Sequence, residues 1–207
     1  MPIIKVIAPF GPRIGRGNIS LNCVNLVNEY LDSDNVVSSD HGAYLAGEIR
    51  NERLLDPVIL NEQTGLGDEI ITVVGQYVLS ATNKKITKLE FPAIWVNDMN
   101  ANEYNPTHWH SGHISGVLYT KIHNSPGEDL SIKQRNNDGA INLIHGSHQF
   151  LSPSLYTYQP KVGDIIVFPH YLMHQVNPFR GDQIRRSIAF NCYIDEGIFD
   201  VYEKQIS

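Results

Sequence analysis

The second half of the chain alternates short β-forming runs with turn residues, and this alternation most limits the folds open to it. Between residues 88 and 195 the β-branched and aromatic runs are separated by Pro, Gly, Asn and Asp. Several short strands with such turns are typical of an antiparallel barrel or jelly roll. The runs are LEFPAIWV, HISGVLYTKI, AINLI, DIIVFP and IRRSIAFNCYI.

Two helices are predicted before this β-rich part. Ser20 is a suitable N-cap for a helix over Leu21 to Leu31, in which apolar residues recur near helical spacing. A second helix is expected over Gly67 to Thr82, because its apolar residues fall on one face and Asp68 and Glu69 suit a helix N-terminus. Both helices are expected to pack by one face and to be structural.

The remaining N-terminal residues predict little regular structure. Residues 1–19 are expected to be irregular apart from a short edge strand, since Pro and Gly interrupt them repeatedly. Residues 32–65 are polar and rich in Asn, Asp, Ser and Gly, so we expect long loops with a short helix near Glu52 to Leu55.

These segments predict a mostly β chain with N-terminal helices, an α+β class. A chain of 207 residues suits one domain with a sizeable core, and neither a repeat nor a linker divides it. We therefore expect a single domain, 1–207. It would have a support region at 1–87, a jelly-roll core at 88–195 and a C-terminal tail at 196–207.

The bulk composition argues against several classes of partner. The net charge is −6 and no basic cluster exceeds pairs such as Arg185-Arg186, so nucleic acid is not expected as a partner. No apolar run approaches a membrane span and the N-terminus lacks a signal-peptide shape, so a cytoplasmic protein is expected. Two cysteines, Cys23 and Cys192, predict buried free thiols.

Histidine is concentrated where the chemistry is expected. Eight of the nine histidines lie between His108 and His174. His108 and His110 are one residue apart, and on a strand they would point to the same side because side chains alternate with period two. Imidazole is the commonest ligand of borderline metals, so this pair predicts two of the three protein ligands of a metal site. A histidine satisfied in the core or in solvent is the alternative.

A third ligand and an anion site are expected further along the chain. His170 and His174 follow the predicted strand DIIVF, and either could approach the pair. In the last strand, Arg185 and Ser187 share one face, and a guanidinium with a neighbouring hydroxyl suits a carboxylate. Alternatively, that face meets water and Arg185 is a surface charge.

These motifs together resemble the Fe(II)- and 2-oxoglutarate-dependent oxygenase superfamily, most closely a phage and bacterial branch of it. The resemblance rests on H-x-H before SGV-x-Y, then GDIIVFP-x-x-x-x-H-x-V-x-P, then R-x-S-I-x-F-N, and runs from about Phe91 to Tyr193. It implies a double-stranded β-helix, Fe(II), 2-oxoglutarate as cosubstrate and dioxygen. It further implies hydroxylation of an unactivated C–H bond with release of succinate and CO₂.

Carried over by position, the resemblance implies roles for individual residues. His108 and His174 would ligate iron, and His174 is preferred to His170 because H-x-V-x-P follows it. Arg185 would hold the far carboxylate of 2-oxoglutarate, with Ser187 beside it. Tyr119 and Asn97 are weaker candidates for cosubstrate contact and could equally be core polar groups. No catalytic residue is expected beyond the metal ligands.

One position departs from the family pattern. The usual motif is H-x-D, but His110 stands where the carboxylate is expected. We expect His110 to ligate, which gives three neutral ligands and leaves more positive charge on Fe(II). In the alternative, another group fills that place, although Asp98, Glu103 and Asp164 lack the spacing. The histidines not expected to ligate are His113, His123, His145 and His148.

Two other functions stay open on the sequence. One is a cupin-like three-histidine metalloenzyme that does not use 2-oxoglutarate, and the other is a non-catalytic jelly-roll binding module. The substrate could be a small molecule or a peptidyl group, and a homo-oligomer is compatible with the sequence. The expected location is the cytoplasm, that of the host if the chain is phage-encoded.

Overall fold

Strands occur in the first half of the chain as well as in the second, and three of the four described α-helices lie before residue 89. The computed structural model describes residues 3–9, 11–123 and 136–203, and only the backbone of 201–203, so residues 204–207 of the predicted tail lie outside it. The elements are β1 (Ile4–Ile7), β2 (Ile14–Asn18), α1 (Leu21–Leu31), β3 (Ser38–Asp40), a 3-10 turn (Gly42–Tyr44), β4 (Glu52–Leu55), α2 (Pro57–Thr64), α3 (Leu66–Thr82), β5 (Leu89–Met99), β6 (Asn105–His108), β7 (Ile114–Lys121), β8 (Ile141–Ile144), β9 (Leu155–Tyr158), β10 (Asp164–Pro169), β11 (Met173–Val176), β12 (Arg185–Ile194) and α4 (Glu196–Glu203).

Two antiparallel sheets form the β part. The larger has eight strands in the order β1-β2-β10-β7-β12-β5-β4-β3, and the smaller has four in the order β6-β11-β8-β9. Neighbours in these sheets are far apart in sequence, as in β10 with β2 and β12 with β5. The predicted class, mostly β with N-terminal helices and a double-stranded β-helix, is confirmed.

Each face of the large sheet has its own apolar layer. Alternation along β10 shows this, because Ile165 and Val167 pack with the helices whereas Ile166 and Phe168 pack towards the small sheet. Both cysteines are buried free thiols in the layer that faces the helices. The space between the two sheets is therefore lined from both sides, and it contains the cavity described below.

The two predicted helices are present. Ser20 caps α1 and its hydroxyl accepts a hydrogen bond from the Cys23 N–H at 3.2 Å. Gly65, with φ of 71°, lies in the left-handed region that glycine adopts readily, and it separates α2 from α3. No described helix has both the length and the hydropathy needed to cross a membrane.

Two expectations for the N-terminal region were wrong. The short helix expected near Glu52 to Leu55 is the strand β4, which pairs with β5 and β3, and the residues after it form α2 with Asp56 as N-cap. The Gly-rich residues expected to be irregular include β2, which lies between β1 and β10. In both cases pairing with distant strands overrides a weak local preference.

A buried ion pair joins the large sheet to the helical layer. The Arg186 guanidinium on β12 donates to both carboxylate oxygens of Asp98 on β5, at 2.6 and 3.0 Å, and both side chains are about 5% exposed or less. The same guanidinium lies 2.8 Å from Asp32 at the end of α1. Arg186 therefore connects two strands and a helix.

Removal of this guanidinium should be costly. We expect Arg186→Met to lower the free energy of unfolding by about 3–5 kcal/mol, because the Asp98 carboxylate would stay buried without its main partner. Urea denaturation of the wild type and the variant measures the difference. A loss below about 1 kcal/mol would show that Arg53, 3.4 Å from the same carboxylate, suffices alone.

Candidate metal centre

Two neighbouring strands and one loop bring three histidines together. His108 ends β6 and is the direct antiparallel partner of His174 on β11. His110 lies in the loop after β6, where its N–H donates to the His170 carbonyl at 3.1 Å. The expectation that His108 and His110 share one strand was therefore wrong, because the strand ends at His108 and β7 begins only at Ile114.

The three imidazoles are close enough to share one metal ion. One nitrogen from each of His108, His110 and His174 lies within 4.8 Å of the others, and the Nε2 atoms of His110 and His174 are 3.1 Å apart. In the part of the chain that the structure describes, this is the one group of three such residues. Of the two histidines that could approach the pair, His174 is the one in the cluster, whereas the His170 ring lies against Tyr171 and Phe199.

Backbone carbonyls orient two of the rings. Nδ1 of His108 is 2.7 Å from the Pro106 carbonyl oxygen, and Nδ1 of His174 is 2.9 Å from that of Leu172. A carbonyl oxygen can only accept, so each Nδ1 carries the proton and each Nε2 keeps its lone pair. A hydrogen bond from the ring nitrogen that does not bind the metal is the usual support of a metal-binding histidine.

The environment keeps the triad uncharged. Burial lowers the pKa of His108, and burial together with the neighbouring imidazoles lowers the pKa of both His110 and His174 to about 3. The three rings are accordingly neutral near pH 7, which is the form that binds a divalent cation.

The carboxylates considered as substitute ligands are engaged elsewhere. Asp98 binds Arg186, as described above. Glu103 accepts from the Asn100 N–H at 2.8 Å, and Asp164 accepts from Asn18 at 2.8 Å. The position of the expected H-x-D carboxylate is therefore held by an imidazole, with no described acidic side chain in the cluster.

Arg185 lines the same cavity as the triad and has no acidic partner among the described residues. The cavity has a volume of about 180 Å³, and the Arg185 side chain within its wall is 1% exposed. Its closest polar contact is the Ser187 hydroxyl at 3.4 Å, and Nε and Nη2 have no hydrogen-bond partner among the described residues. Burial lowers the pKa of this guanidinium. A buried cation of this kind is stabilised by an anion, and the described residues of the cavity supply none.

The other predicted contact residues form a row beneath the guanidinium. Tyr119, Ser187 and Asn97 are direct partners across β7, β12 and β5, so their side chains share the inner face of the sheet. Ser187 and Asn97 line the cavity, and the buried Asn97 Oδ1 has no partner among the described residues. Tyr119 lies behind, with its ring centroid 4.9 Å from the Arg185 guanidinium carbon.

Sequence reasoning missed the parts of the site that come from other strands and from the N-terminal region. Trp95 packs on His110 with ring centroids 5.4 Å apart, and Asn105 on β6 lines the cavity with an unpartnered Oδ1. Residues 44–46 close one side of the cavity. The alternation of β5 could have pointed to Trp95, because it shares a face with Asn97, but no local signal marked residues 44–46.

The histidines not expected to ligate lie away from the cluster. His113 accepts a hydrogen bond from the Ile194 N–H at 3.1 Å, and His123 stacks on Phe179 with ring centroids 4.3 Å apart. His145 and His148 are exposed in the turn after β8.

A family model covers the strands that build this site. Residues 93–191 match the model described as "Putative 2OG-Fe(II) oxygenase". That range includes every residue of the triad and the buried Arg185. The β-rich part of this chain therefore matches the model of the 2OG-Fe(II) oxygenase family, and the predicted resemblance is confirmed. Among curated proteins, no sequence matches the chain.

Solved structures agree on the fold. A prolyl-4-hydroxylase from Pseudomonas putida is 13% identical with a TM-score of 0.54, over 87% of this chain and 91% of that one. The viral collagen prolyl hydroxylase of Paramecium Bursaria Chlorella virus-1, in its 2OG complex, is 13% identical at 0.55, over 86% and 94%. HygX from Streptomyces hygroscopicus, with nickel, 2-oxoglutarate and hygromycin B bound, is 12% identical at 0.55, over 88% and 82%. At these identities the likeness establishes the fold.

The triad predicts binding of one divalent ion per chain. We expect the full chain to bind Co²⁺ and show its visible absorption, and His174→Asn to weaken binding by more than about 100-fold, beyond the usual effect of losing an outer hydrogen bond. His148→Asn, which changes an exposed histidine, is the matched control and should bind as the wild type does. Equal binding by both variants would contradict a site at the triad.

The unpaired guanidinium predicts an unusual stability effect. Without added ligands, Arg185→Met should raise the free energy of unfolding by about 1–3 kcal/mol, because an apolar side chain replaces a buried charge that has no counter-ion. Urea denaturation of Arg185→Met and Arg186→Met checks this, because the two variants should change the free energy of unfolding in opposite directions. A loss of stability in both variants would mean that Arg185 supports the fold itself.

Proposed function

We propose that this protein is an Fe(II)- and 2-oxoglutarate-dependent dioxygenase that hydroxylates an unactivated C–H bond and releases succinate and CO₂. The observation that carries the proposal is the shared cavity of a neutral histidine triad and a buried guanidinium without a counter-ion. The first suits a divalent metal, and the second suits a carboxylate of a cosubstrate that also reaches the metal.

The donor set fits the proposed groups. His108, His110 and His174 would hold the iron, with His108 and His174 oriented by their carbonyl partners. Three protein ligands leave positions for a 2-oxo acid and for dioxygen. When bound, Fe(II) and 2-oxoglutarate supply the oxidative decarboxylation that makes a C–H bond reactive.

The chain's own residues would bind, orient and exclude water. Arg185 would bind the far carboxylate of 2-oxoglutarate, Ser187 would hold the guanidinium, and Asn97 would offer a further hydrogen bond. Because Arg185 is buried, this charge pair would form in a dry cavity, where it is stronger than in water. Phe168 packs edge-on against His174 with ring centroids 4.9 Å apart, which shields the metal side from solvent.

The three-histidine set supports one further candidate. A cupin-like metalloenzyme that acts directly on its substrate would also use neutral imidazoles, and it would have no need of a carboxylate anchor. The buried Arg185 favours the 2-oxoglutarate enzyme, since nothing else described in the cavity neutralises it. In the candidate without 2-oxoglutarate, oxygen uptake would be independent of that acid and insensitive to Arg185.

The names of the similar solved structures do not identify one class of substrate for this chain. They include prolyl hydroxylases and an enzyme with an aminoglycoside bound, so both peptidyl and small-molecule substrates are compatible with this fold. A cytoplasmic location remains a prediction, as do the assignment of one domain and the absence of a nucleic-acid partner.

Uncoupled turnover tests the proposal. With Fe(II), dioxygen and 2-oxoglutarate, the wild type should form succinate above the protein-free background. Arg185→Met should raise the KM for 2-oxoglutarate by about 100-fold or abolish turnover, because a charge-assisted carboxylate contact is worth roughly 3 kcal/mol. Arg50→Met, which removes a guanidinium that is 91% exposed, is the matched control.

Three outcomes separate the candidates. Succinate that depends on Arg185 supports the dioxygenase. Metal binding without succinate, together with oxygen uptake unaffected by Arg185→Met, would favour the three-histidine enzyme that does not use 2-oxoglutarate. Succinate formation unchanged in Arg185→Met would contradict the proposed anchor.

A further inference from the structure

A buried carboxyl group beside the cavity has no role in the chemistry described above. Glu52 on β4 is 2% exposed, and neither of its carboxylate oxygens has a hydrogen-bond partner in the residues that the structure describes. A buried carboxyl without a donor is costly, so its retention calls for a physical reason.

The strand register places this side chain on the cavity side of the large sheet. Glu52 is the direct partner of Asn97, and Asn97 is the direct partner of Ser187 on the next strand. Direct antiparallel partners share a face, and both Asn97 and Ser187 line the cavity. The adjacent Arg53 points the other way, towards Asp98.

The chain segment of residues 42–47 lies over the Glu52 carboxyl. A Cβ atom added at Gly47 would be 2.6 Å from Glu52 Oε1, so the backbone and the carboxylate are in close contact. Within the same segment, Tyr44, Leu45 and Ala46 line the cavity. The carboxyl itself does not line the cavity, but it lies directly behind the wall, in contact with this segment and beside Asn97 of β5, which does line it.

The charges around Glu52 make a cation its natural partner. Burial, followed by repulsion from Glu103 and Asp40, raises the pKa of Glu52 to about 7. Among the described residues that line the cavity, Arg185 supplies the one Lys or Arg side chain, and it is assigned to the cosubstrate. Glu103 has a cation of its own, the exposed Arg50 at 3.6 Å, whereas no Lys or Arg among the described residues pairs with Glu52.

Aromatic rings adjoin the same part of the wall. The His41 ring is 5.6 Å from the Tyr44 ring and 6.4 Å from the Trp95 ring, and Trp95 packs on His110. Tyr44 is 82% exposed although it lines the cavity, so its ring face is open to a ligand. A carboxylate with neighbouring aromatic faces is a suitable setting for an ammonium group.

We propose that the substrate carries an ammonium group, which the Glu52 carboxylate binds at the cavity wall beside the rings of Tyr44 and Trp95. This inference rests on the proposed function, because it assigns the substrate class of the same cavity. Glu52 would select the substrate and position it, and the reacting C–H bond would lie towards the triad, where Trp95 meets His110.

The chain contains its own reporter for this binding. Its two tryptophans, Trp95 and Trp109, both line the cavity, so intrinsic fluorescence responds to an occupant. The full chain, without metal or 2-oxoglutarate, is titrated with n-butylammonium and with the neutral analogue 1-butanol. We expect a saturable fluorescence change for butylammonium, with an affinity about 10–100-fold above that for butanol, as a charge-assisted hydrogen bond gives.

Two carboxyl-to-amide variants test the assignment. Glu52→Gln should remove the preference for butylammonium, whereas Glu48→Gln, which makes the same change at an exposed position nearby, should keep it. Equal affinity for the two probes in the wild type, or an unchanged preference in Glu52→Gln, would overturn the inference.

The effect of pH provides a second measurement and a check that the variant folds. A carboxyl whose pKa is about 7 when folded and about 4.5 when unfolded binds its proton more tightly in the folded state. The wild type should therefore lose stability relative to Glu52→Gln as pH rises from about 4.5 through 7. Butylammonium affinity should rise between about pH 6 and 8 in the wild type alone, since the ionised carboxylate binds the ammonium.

Failure of this inference can be told apart from failure of the proposed function. Succinate formation without a preference for butylammonium would remove the ammonium subsite and leave the dioxygenase. Preferential binding of butylammonium in a chain that forms no succinate would keep the subsite and remove the 2-oxoglutarate chemistry.

Discussion

The alternation of side chains along β12 is the constraint on which the rest of this molecule depends. Arg185 and Arg186 are neighbours in sequence, yet one lies in the cavity and the other in a buried ion pair on the opposite face. A shift of one residue in the pairing with β5 would exchange the two side chains. Arg186 would then point into the cavity, and Arg185 would point towards the helices. The pairing with β5 runs through both arginines without a shift, whereas the pairing with β7 shifts between Arg186 and Ser187.

The two arginines divide stability and function between them. Arg186 stabilises the sheet and its helical cover because Asp98 and Asp32 neutralise it. Arg185 has no such partner among the described residues, where two of its buried donor nitrogens are unsatisfied, and an unsatisfied buried donor is destabilising. A site that holds an unpaired charge ready for an anion is already organised before binding, so the ligand's binding energy is not spent on arranging it.

A divalent metal bound by the triad would keep its full charge in the cavity. Three neutral imidazoles do not offset the charge of a divalent metal, whereas a carboxylate ligand would remove one unit of it. In the proposed enzyme the cosubstrate, a dianion, would be the main source of negative charge near the metal and Arg185. Glu52 lies on β4, two strands from Arg185 on β12, so a buried carboxyl and a buried guanidinium belong to the same face of the sheet.

The chemistry of the site was readable from the sequence, because it depends on residue types at short spacings. The β-rich second half, both long helices and the alternation that separates Arg185 from Arg186 followed from local sequence patterns. The selection of His108 and His174 came from the resemblance to the family, which the H-x-H and R-x-S motifs indicated. The role of each residue as ligand or anchor remains a proposal, although the structure brings His108, His110, His174 and Arg185 to one cavity.

Only the tertiary structure decided what surrounds those residues. The strands β2 and β4 have weak local signals and form because distant strands pair with them, so β4 was mistaken for a helix. His110 reaches the cluster from a loop rather than by strand alternation. Glu52 and residues 44–46 meet the cavity through contacts far apart in sequence, and such contacts leave no periodic pattern in the chain.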